Sequence, residues 1–460
     1  MGGGIIQLVA YGQNNIYLTG SPQITHFKSV YKTHSNFSME SIPVNFNRTD
    51  ANLTSTTTLI AKIDRNADLV GQVYFSFVLP DIISDNLWRF RWVENFAEVL
   101  INEVYITIGG NKIDTQNGEF IHIMNMLTYG TDKREVYNKM IGNVDEFTNP
   151  ENYFYTRRYK NAVPMQHRVG NEYPASSNPH YPSIRSRRFY LPLTFWFNRD
   201  LANALPIISL QYSDVQIVVT LNPIIHIFKL FYTQYGIPNF YSPDVTNPSH
   251  ELSNFVTNGN QTFMNTTSIL DIKANLEVNY IFLDNKERNF FAFKPVEYLI
   301  NQVRVIPFTH LSNLNTLELV LSNPVKEIIW VCKRNDMVQW NTWFDYTDKS
   351  RNIMTSATIL FNGMERLKEK SWEYFSYLQP FQHHTGGSAK EGIYLYSFSI
   401  NPEEFQPSGS CNMSKINKIQ INMNCNMPTN QYYDFWATFY VTNYNILKIS
   451  NGMGGTVFAL

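Results

Sequence analysis

The same order of short alternating strands and turns occurs twice along this chain. Phe189-Tyr190-Leu191-Pro192-Leu193 is followed by a turn and then by Val215-Gln216-Ile217, while Ile393-Tyr394-Leu395-Tyr396 is followed by a turn and then by Ile419-Gln420-Ile421. Tyr190 to Tyr394 and Val215 to Ile419 share one offset. At a larger offset, Ile106-Thr107-Ile108 with Gly110, ahead of Phe120, matches Ile359-Leu360-Phe361 with Gly363, ahead of Tyr374. Self-similarity on this scale implies two copies of one supersecondary plan, with loops of unequal length between matching strands. Length agrees: 460 residues exceed one ordinary core, and all-β units often run to ~200–250 residues.

Each copy reads as β-structure. Alternation with period two marks half-buried strands at Val104-Tyr105-Ile106-Thr107-Ile108, at Val215-Gln216-Ile217-Val218-Val219 and at Lys418-Ile419-Gln420-Ile421-Asn422-Met423. Gly109-Gly110-Asn111, Asn323-Pro324, Asn362-Gly363 and Pro407-Ser408-Gly409 break the chain at strand-like spacing. Long helical periodicity is scarce, and the best helix candidate, Glu365 to Tyr377, is short. Aromatic residues make up 15% of the chain, with 28 Tyr and 32 Phe, and such rings favour pleated, half-buried surfaces. The expected fold class is therefore all-β, an antiparallel sandwich or barrel in each copy. The junction is expected between Leu221 and about Asp271. The stretch from about Thr131 to Arg188 reads as a long excursion from the first barrel.

Composition excludes several classes of function. Hydrophobic residues at 43% and charged residues at 16% rule out a disordered chain. A formal net charge of -1 supplies no global attraction to phosphate, so direct sequence-specific nucleic-acid binding is not expected. Near-neutral charge and abundant aromatics suit a protein whose normal state is an assembly. Cys332, Cys411 and Cys425 are too few for a disulfide scaffold and fit free thiols in a reducing compartment. The N-terminus has neither a basic start nor a long apolar stretch, so no secretory signal is expected. Ile6 stands where a myristoylation site wants Ser or Thr. The most apolar region, Pro206 to Tyr232, is interrupted by Asp214, Pro223, His226 and Lys229 among others, which excludes a bilayer-spanning helix.

No catalytic, cofactor-binding or metal-ligating residues are expected, and no cofactor. The chain has no G-x-S-x-G elbow, no P-loop and no dinucleotide fingerprint, and Gly452-Met453-Gly454-Gly455 reads as a flexible tail or turn. His383-His384 lacks the partners of a metal site and reads as loop histidines. Glu403-Glu404 reads as solvated charge before Pro407 rather than as an acid/base pair. Basic and aromatic residues interleave at Tyr155 to Lys160 and at Arg185 to Tyr190; in a chain without net basic charge these read as surface or inter-subunit salt-bridge positions. Sequons stand at Asn36, Asn47, Asn52, Asn260, Asn265 and Asn412, at chance frequency for an Asn- and Thr-rich chain.

A family resemblance runs through the whole chain. Gln7-Leu8-Val9-Ala10-Tyr11-Gly12, Tyr17-Leu18-Thr19-Gly20 and Pro22-Gln23-Ile24-Thr25 with Phe27, Tyr31 and Asn36-Phe37 resemble the opening of the major capsid proteins of nucleocytoplasmic large DNA viruses. The likeness continues through Phe189 to Leu193, Ala204-Leu205-Pro206, Leu210-Gln211-Tyr212, Tyr280 to Asp284 with Glu287-Arg288, and Glu297 to Ile300. It resumes at Gly392 to Phe398, Gln406 to Asn412, and Asn443-Tyr444-Asn445 before Gly452 to Gly455. The members most similar are those of algal and amoebal viruses.

The resemblance implies two consecutive eight-stranded antiparallel jelly-roll barrels with short helices and long loops. The expected organisation is an N-terminal arm over 1–25, a first jelly roll over 26–221, a linker and loop region over 222–270, and a second jelly roll with C-terminal tail over 271–460. It implies a structural protein, not an enzyme, that forms a homotrimer of pseudo-hexagonal outline and tiles an icosahedral shell. Its partners would be itself, minor capsid and penton proteins, and, indirectly, an internal membrane. The implied location is the virion, after assembly in the host cytoplasm. The stretches from about Met140 to Arg185 and from Pro238 to Asn265 depart from the family's commoner members. The arm resembles a segment at the inner base of the capsomer that meets neighbouring proteins; the plainer reading is that it packs under the first barrel. A second class stays open on the residues alone: a carbohydrate-binding or carbohydrate-processing β-sandwich, since jelly rolls also serve as lectins and cupins.

Overall fold

The computed structural model describes residues 3–84, 88–150, 183–232, 240–258, 262–263, 269–386 and 390–458. The chain divides into an N-terminal unit, Met1–Phe37, and a large unit, Ser38–Leu460. The small unit carries two short helices, Gly3–Val9 and Gln13–Thr19, and none of its described residues is buried. It runs twelve residues past the expected end of the arm (37 against 25).

The large unit repeats one plan. Its first eight barrel strands are β1 (Phe37–Asn45), β2 (Thr57–Lys62), β3 (Leu69–Leu79), β4 (Ile101–Ile108), β5 (Asn111–Gln116), β6 (Arg187–Pro192), β7 (Val215–Leu221) and β8 (Asn275–Leu283). The next eight are β9 (Val296–Leu311), β10 (Leu314–Leu319), β11 (Pro324–Arg334), β12 (Met354–Phe361), β13 (Met364–Ser371), β14 (Ile393–Ser397), β15 (Ile419–Cys425) and β16 (Phe435–Ser450). The first set forms sheets in the order β1-β8-β3-β6 and β2-β7-β4-β5; the second forms β9-β16-β11-β14 and β10-β15-β12-β13. Adding eight to each label of one barrel gives the other. Two four-stranded antiparallel sheets in this order are a jelly roll.

Local sequence dictates these elements. Thr57–Lys62 alternates buried and exposed residues without a break, and Ile419–Cys425 alternates buried and half-buried ones, as a strand with one face on a core must. Gly109-Gly110 (φ 58° and 82°) turns β4 into β5, and Asn362-Gly363 (φ 51° and 82°) turns β12 into β13. Two successive left-handed residues match the twist of a hairpin, which is why Asn and Gly stand there. A helix follows each hairpin, Gly118–Thr128 after β5 and the helical stretch Tyr374–His383 after β13.

One sheet has no solvent face over much of its area. In β11, Ile328, Trp330 and Cys332 point into the second barrel's own core, whereas Ile329 and Val331 join the cluster that fills the first barrel. Ile393 and Leu395 of β14 and Tyr440 of β16 face the same way as Ile329, while Tyr394, Tyr396, Phe439 and Val441 face inward. The sheet β9-β16-β11-β14 thus covers two cores at once, and β11 is buried from Val325 to Cys332 and apolar there except for Lys326-Glu327.

Three expectations are corrected. Residues 222–270 are not a linker between barrels: β8, at Asn275–Leu283, hydrogen-bonds β3 and completes the first jelly roll, so the barrels change over at the helix Asn285–Phe293. The segment Glu365 to Tyr377 begins as an edge strand; β13 pairs with β12 through Ser371, and helix starts only at Trp372. The Gly452 to Gly455 cluster is no loose tail: Met453–Thr456 pairs antiparallel with β16 through a turn at Asn451-Gly452, both left-handed.

Candidate functional site

Side chains buried at the barrel boundary and in the helices beside it form four polar groups. Asp114 of β5 accepts a 3.0 Å hydrogen bond from the Val303 amide of β9 and a 2.8 Å bond from Gln116. Burial lifts its carboxyl to about 6, against the pull of these donors. Glu119, in the first turn of Gly118–Thr128, receives Lys333 of β11 at 2.7 Å and the Tyr440 hydroxyl of β16 at 2.6 Å. Glu98, wholly buried, holds His122 at 2.6 Å and accepts from Tyr137, packing three helices of the first barrel's excursions together. Charges taken out of water in this way demand partners and accept only one register, so they specify the docking of elements more than they add stability.

The fourth group gathers residues that the sequence alone left unconnected. His384 lies between two carboxylates, Nδ1 at 2.8 Å from Glu403 and Nε2 at 3.1 Å from Glu327. Burial works against its charge, but the two carboxylates outweigh that and hold the imidazole at about 9. Burial likewise opposes ionisation of Glu327, yet His384 and Lys326 bring it down to about 2. The next two residues reach across the barrel boundary: the Thr385 hydroxyl lies 2.9 Å from the Thr128 carbonyl, and the Gly386 amide donates to the Leu127 carbonyl at 2.7 Å. A Cβ on Gly386 would lie 2.2 Å from that carbonyl oxygen, so the approach requires glycine.

His384 and Glu403 are thus buried or half-buried structural partners, not a loop histidine and a solvated charge; His383 is half-buried with Nδ1 2.8 Å from the Ile400 carbonyl, and Glu404 is exposed. The signal available in the sequence was Lys326-Glu327, a charged pair inside the apolar run of β11, which a buried strand tolerates only with a partner. Of the basic-aromatic runs, Arg188 bonds Ser76 and Asn275, and Arg187 bonds the Lys139 carbonyl, all within the chain. Tyr155 to Lys160 lies outside the described residues, as do the sequons at Asn260 and Asn265. Among the described residues no three His, Cys, Asp or Glu side chains group as a metal site would, and the three cysteines are free.

The outer surface is suited to side-by-side contact rather than to strand addition. β13 is an edge strand exposed over nearly its whole length, and Glu365, Arg366, Lys368, Glu369 and Lys370 stud it with charge. Such charge blocks edge-to-edge pairing with another sheet. Large apolar side chains stand exposed elsewhere, among them Phe293, Tyr377, Phe381, Ile400 and Tyr432. Among the described residues no helix is long and apolar enough to cross a membrane.

Two jelly rolls in tandem, locked by buried charge and surrounded by long excursions, define a coat protein of the double jelly-roll kind. Residues 25–284 match the family described as major capsid protein N-terminus, and residues 287–455 match large eukaryotic DNA virus major capsid protein. The chain belongs to this family of major capsid proteins, structural subunits that form the icosahedral shells of large DNA viruses. It is 33% identical to the major capsid protein of Pyramimonas orientalis virus and 29% identical to that of Phaeocystis pouchetii virus, each alignment covering 100% of both chains. In fold it is similar to the subunit of the PBCV-1 virus capsid, with a TM-score of 0.68, 24% identity, and coverage of 95% of this chain and 100% of that one. Family membership decides between the two classes that the residues left open, in favour of the shell subunit.

Proposed function

We propose that three copies of this chain close into a homotrimeric, pseudo-hexagonal capsomer, and that such capsomers tile the shell. The observation that carries this reading is the identity of strand order in the two barrels. Three chains with two like barrels offer six like wedges, so a closed threefold ring fills a near-hexagonal lattice site with one gene product. Interfaces of this obligate kind typically bury ~2,000–5,000 Å² and resemble a core cut in half. The exposed Phe293, Phe381 and Tyr432 are apolar surface of the sort such interfaces cover.

The arm over 1–25, with the residues up to Phe37, is assigned to contacts with neighbouring shell proteins. Its helices have seven residues each, below the ~12–15 needed for stability alone, and Ile5, Ile6, Leu8, Tyr17 and Leu18 are exposed. Minor capsid and penton proteins are the partners of this kind, with the internal membrane reached through them. Assembly in the host cytoplasm accords with the free thiols of Cys332, Cys411 and Cys425. No catalytic, cofactor or metal residue is assigned.

Electron microscopy of the purified full-length protein tests the reading. Hexagonal particles with a threefold centre are expected; particles with one barrel pair each, under conditions where the protein stays folded, would refute it.

A further inference from the structure

A second feature of the barrel boundary is a cavity of about 480 Å³ bordered by Lys133 and Arg199, but both cations are exposed. Another, of about 470 Å³, is different in kind. Arg91 and Lys229 reach it from the paired strands Trp88–Trp92 and Phe228–Tyr232 of the first barrel's excursions. Lys349 and Lys390 reach it from the second barrel's connections. With Glu94 and Asp345 also in the wall, four cations face two anions, an excess of two positive charges (4 − 2).

We propose that this pocket binds a tetrahedral oxyanion, a phosphate or sulfate group, either as the free ion or as the ester of a small sugar. Its volume lies in the range of small-molecule sites, roughly 300–1,000 Å³. Lys229 is 92% buried by its 8% exposure, and its Nζ has no hydrogen-bond or ion-pair partner among the described residues. The ammonium at the cavity wall has three donors without a protein acceptor, and an oxyanion in the cavity would satisfy them. Three other charged groups of the wall are already engaged. Lys390 donates to the Phe344 carbonyl at 3.0 Å, Arg91 stacks 3.9 Å over the Phe240 ring, and Asp345 accepts from the Thr347 hydroxyl at 2.8 Å. Asn341 lies in the wall with its amide spent on the Ile225 and Phe228 carbonyls, which holds the second barrel's connection against the first barrel's strand. The site is therefore framed by both barrels, and an anion in it would tie them together.

Burial, with Arg91 adding to it and Glu94 opposing, brings the Lys229 amine down to about 8. The amine is mostly charged at neutral pH and loses its charge above about 8, so anion binding should weaken there.

The test is calorimetric titration of the full-length protein with sodium phosphate, sodium sulfate, glucose 6-phosphate and, as the uncharged control, glucose, all at one ionic strength. Saturable binding of one oxyanion per chain is expected, weakening as pH rises from 7 to 9, with no heat from glucose. Tighter binding of the sugar ester than of phosphate would identify the ester as the ligand; equal affinity would identify the free ion. Lys229→Met should weaken binding at least about tenfold, as loss of a charge-assisted hydrogen bond does, and Lys229→Arg should retain it. Should Lys229→Met fail to fold, the pair Lys349→Gln and Lys390→Gln at the exposed rim serves instead, with a loss of about threefold or more. No saturable binding to the wild type at millimolar oxyanion would overturn the proposal. So would unchanged affinity in every folded variant that lacks a pocket cation.

Discussion

Between β7 and β8 the first barrel runs through residues 222–274, whereas the matching connection of the second barrel, between β15 and β16, is 426–434. The contrast recurs between β5 and β6, 117–186, and between β13 and β14, 372–392. Strand order is nevertheless the same in both. A jelly roll is fixed by which faces alternate and which strands pair, and its connections are free to lengthen at small cost in closure entropy. The excursions of the first barrel carry the buried Glu98 group and two of the four cations of the proposed oxyanion pocket, Arg91 and Lys229, so the added length carries contacts that the second barrel's short connections lack.

If the barrels are one plan, equivalent core positions should be equally costly to empty. Phe75 is the seventh residue of β3 and Trp330 the seventh of β11, and both are fully buried among rings, Phe77 and Phe46 in one case and Phe439 and Phe375 in the other. Phe75→Ala and Trp330→Ala are each expected to lose ~3–5 kcal/mol in chemical denaturation. A near-zero loss at one of them would break the equivalence.

The boundary between the barrels should be nearly as sensitive. His384→Ala leaves Glu327 buried without its cation and is expected to cost ~3 kcal/mol. Its pH dependence has a definite sign. The proton on His384 is held more tightly in the folded state, at about 9, than in the unfolded chain near 6.5. Its stabilisation is therefore complete below about 6.5 and lost as pH rises through 9. The wild-type melting temperature should decline over that window, and His384→Gln should flatten the decline; an equal slope in both proteins would remove His384 from the account. Gly386→Ala should cost ~1–3 kcal/mol, because the new Cβ meets the Leu127 carbonyl. Two-state melting of that variant at the wild-type temperature would show that the contact does not hold the barrels together.

The smallest effect separates barrel from excursion. Val245→Ser, in the first barrel's long connection, and Tyr432→Ser, in the second barrel's short one, are both exposed and should change stability by less than about 0.5 kcal/mol. A large loss at Val245 would mean that the excursion is part of the core.

What the sequence made legible follows from how local each signal is. Ile419–Cys425 shows its fold in its own alternation, and Asn362-Gly363 shows its turn in two residues. β8 shows no such sign of its allegiance: Asn275–Leu283 alternates well, but nothing nearby states that it pairs with β3, two hundred residues earlier (278 with 73). Local signals therefore put the junction too early. β13 reads as helix in the sequence because an edge strand exposed on both faces has no alternation to display, and Glu365 to Lys370 are good helix formers. The His384 group was invisible because its three members come from β11, from the end of a helix and from the loop after β14. Only Lys326-Glu327, out of place in an apolar strand, pointed towards it.

Light scattering on the full-length protein after size-exclusion chromatography bears most directly on the central claim, that like barrels in one chain make a threefold shell unit. Three copies of a 53.5 kDa chain should travel as one stable species of about 160 kDa, unchanged on dilution. A folded species that stays at the mass of a single chain across the accessible concentrations would contradict it.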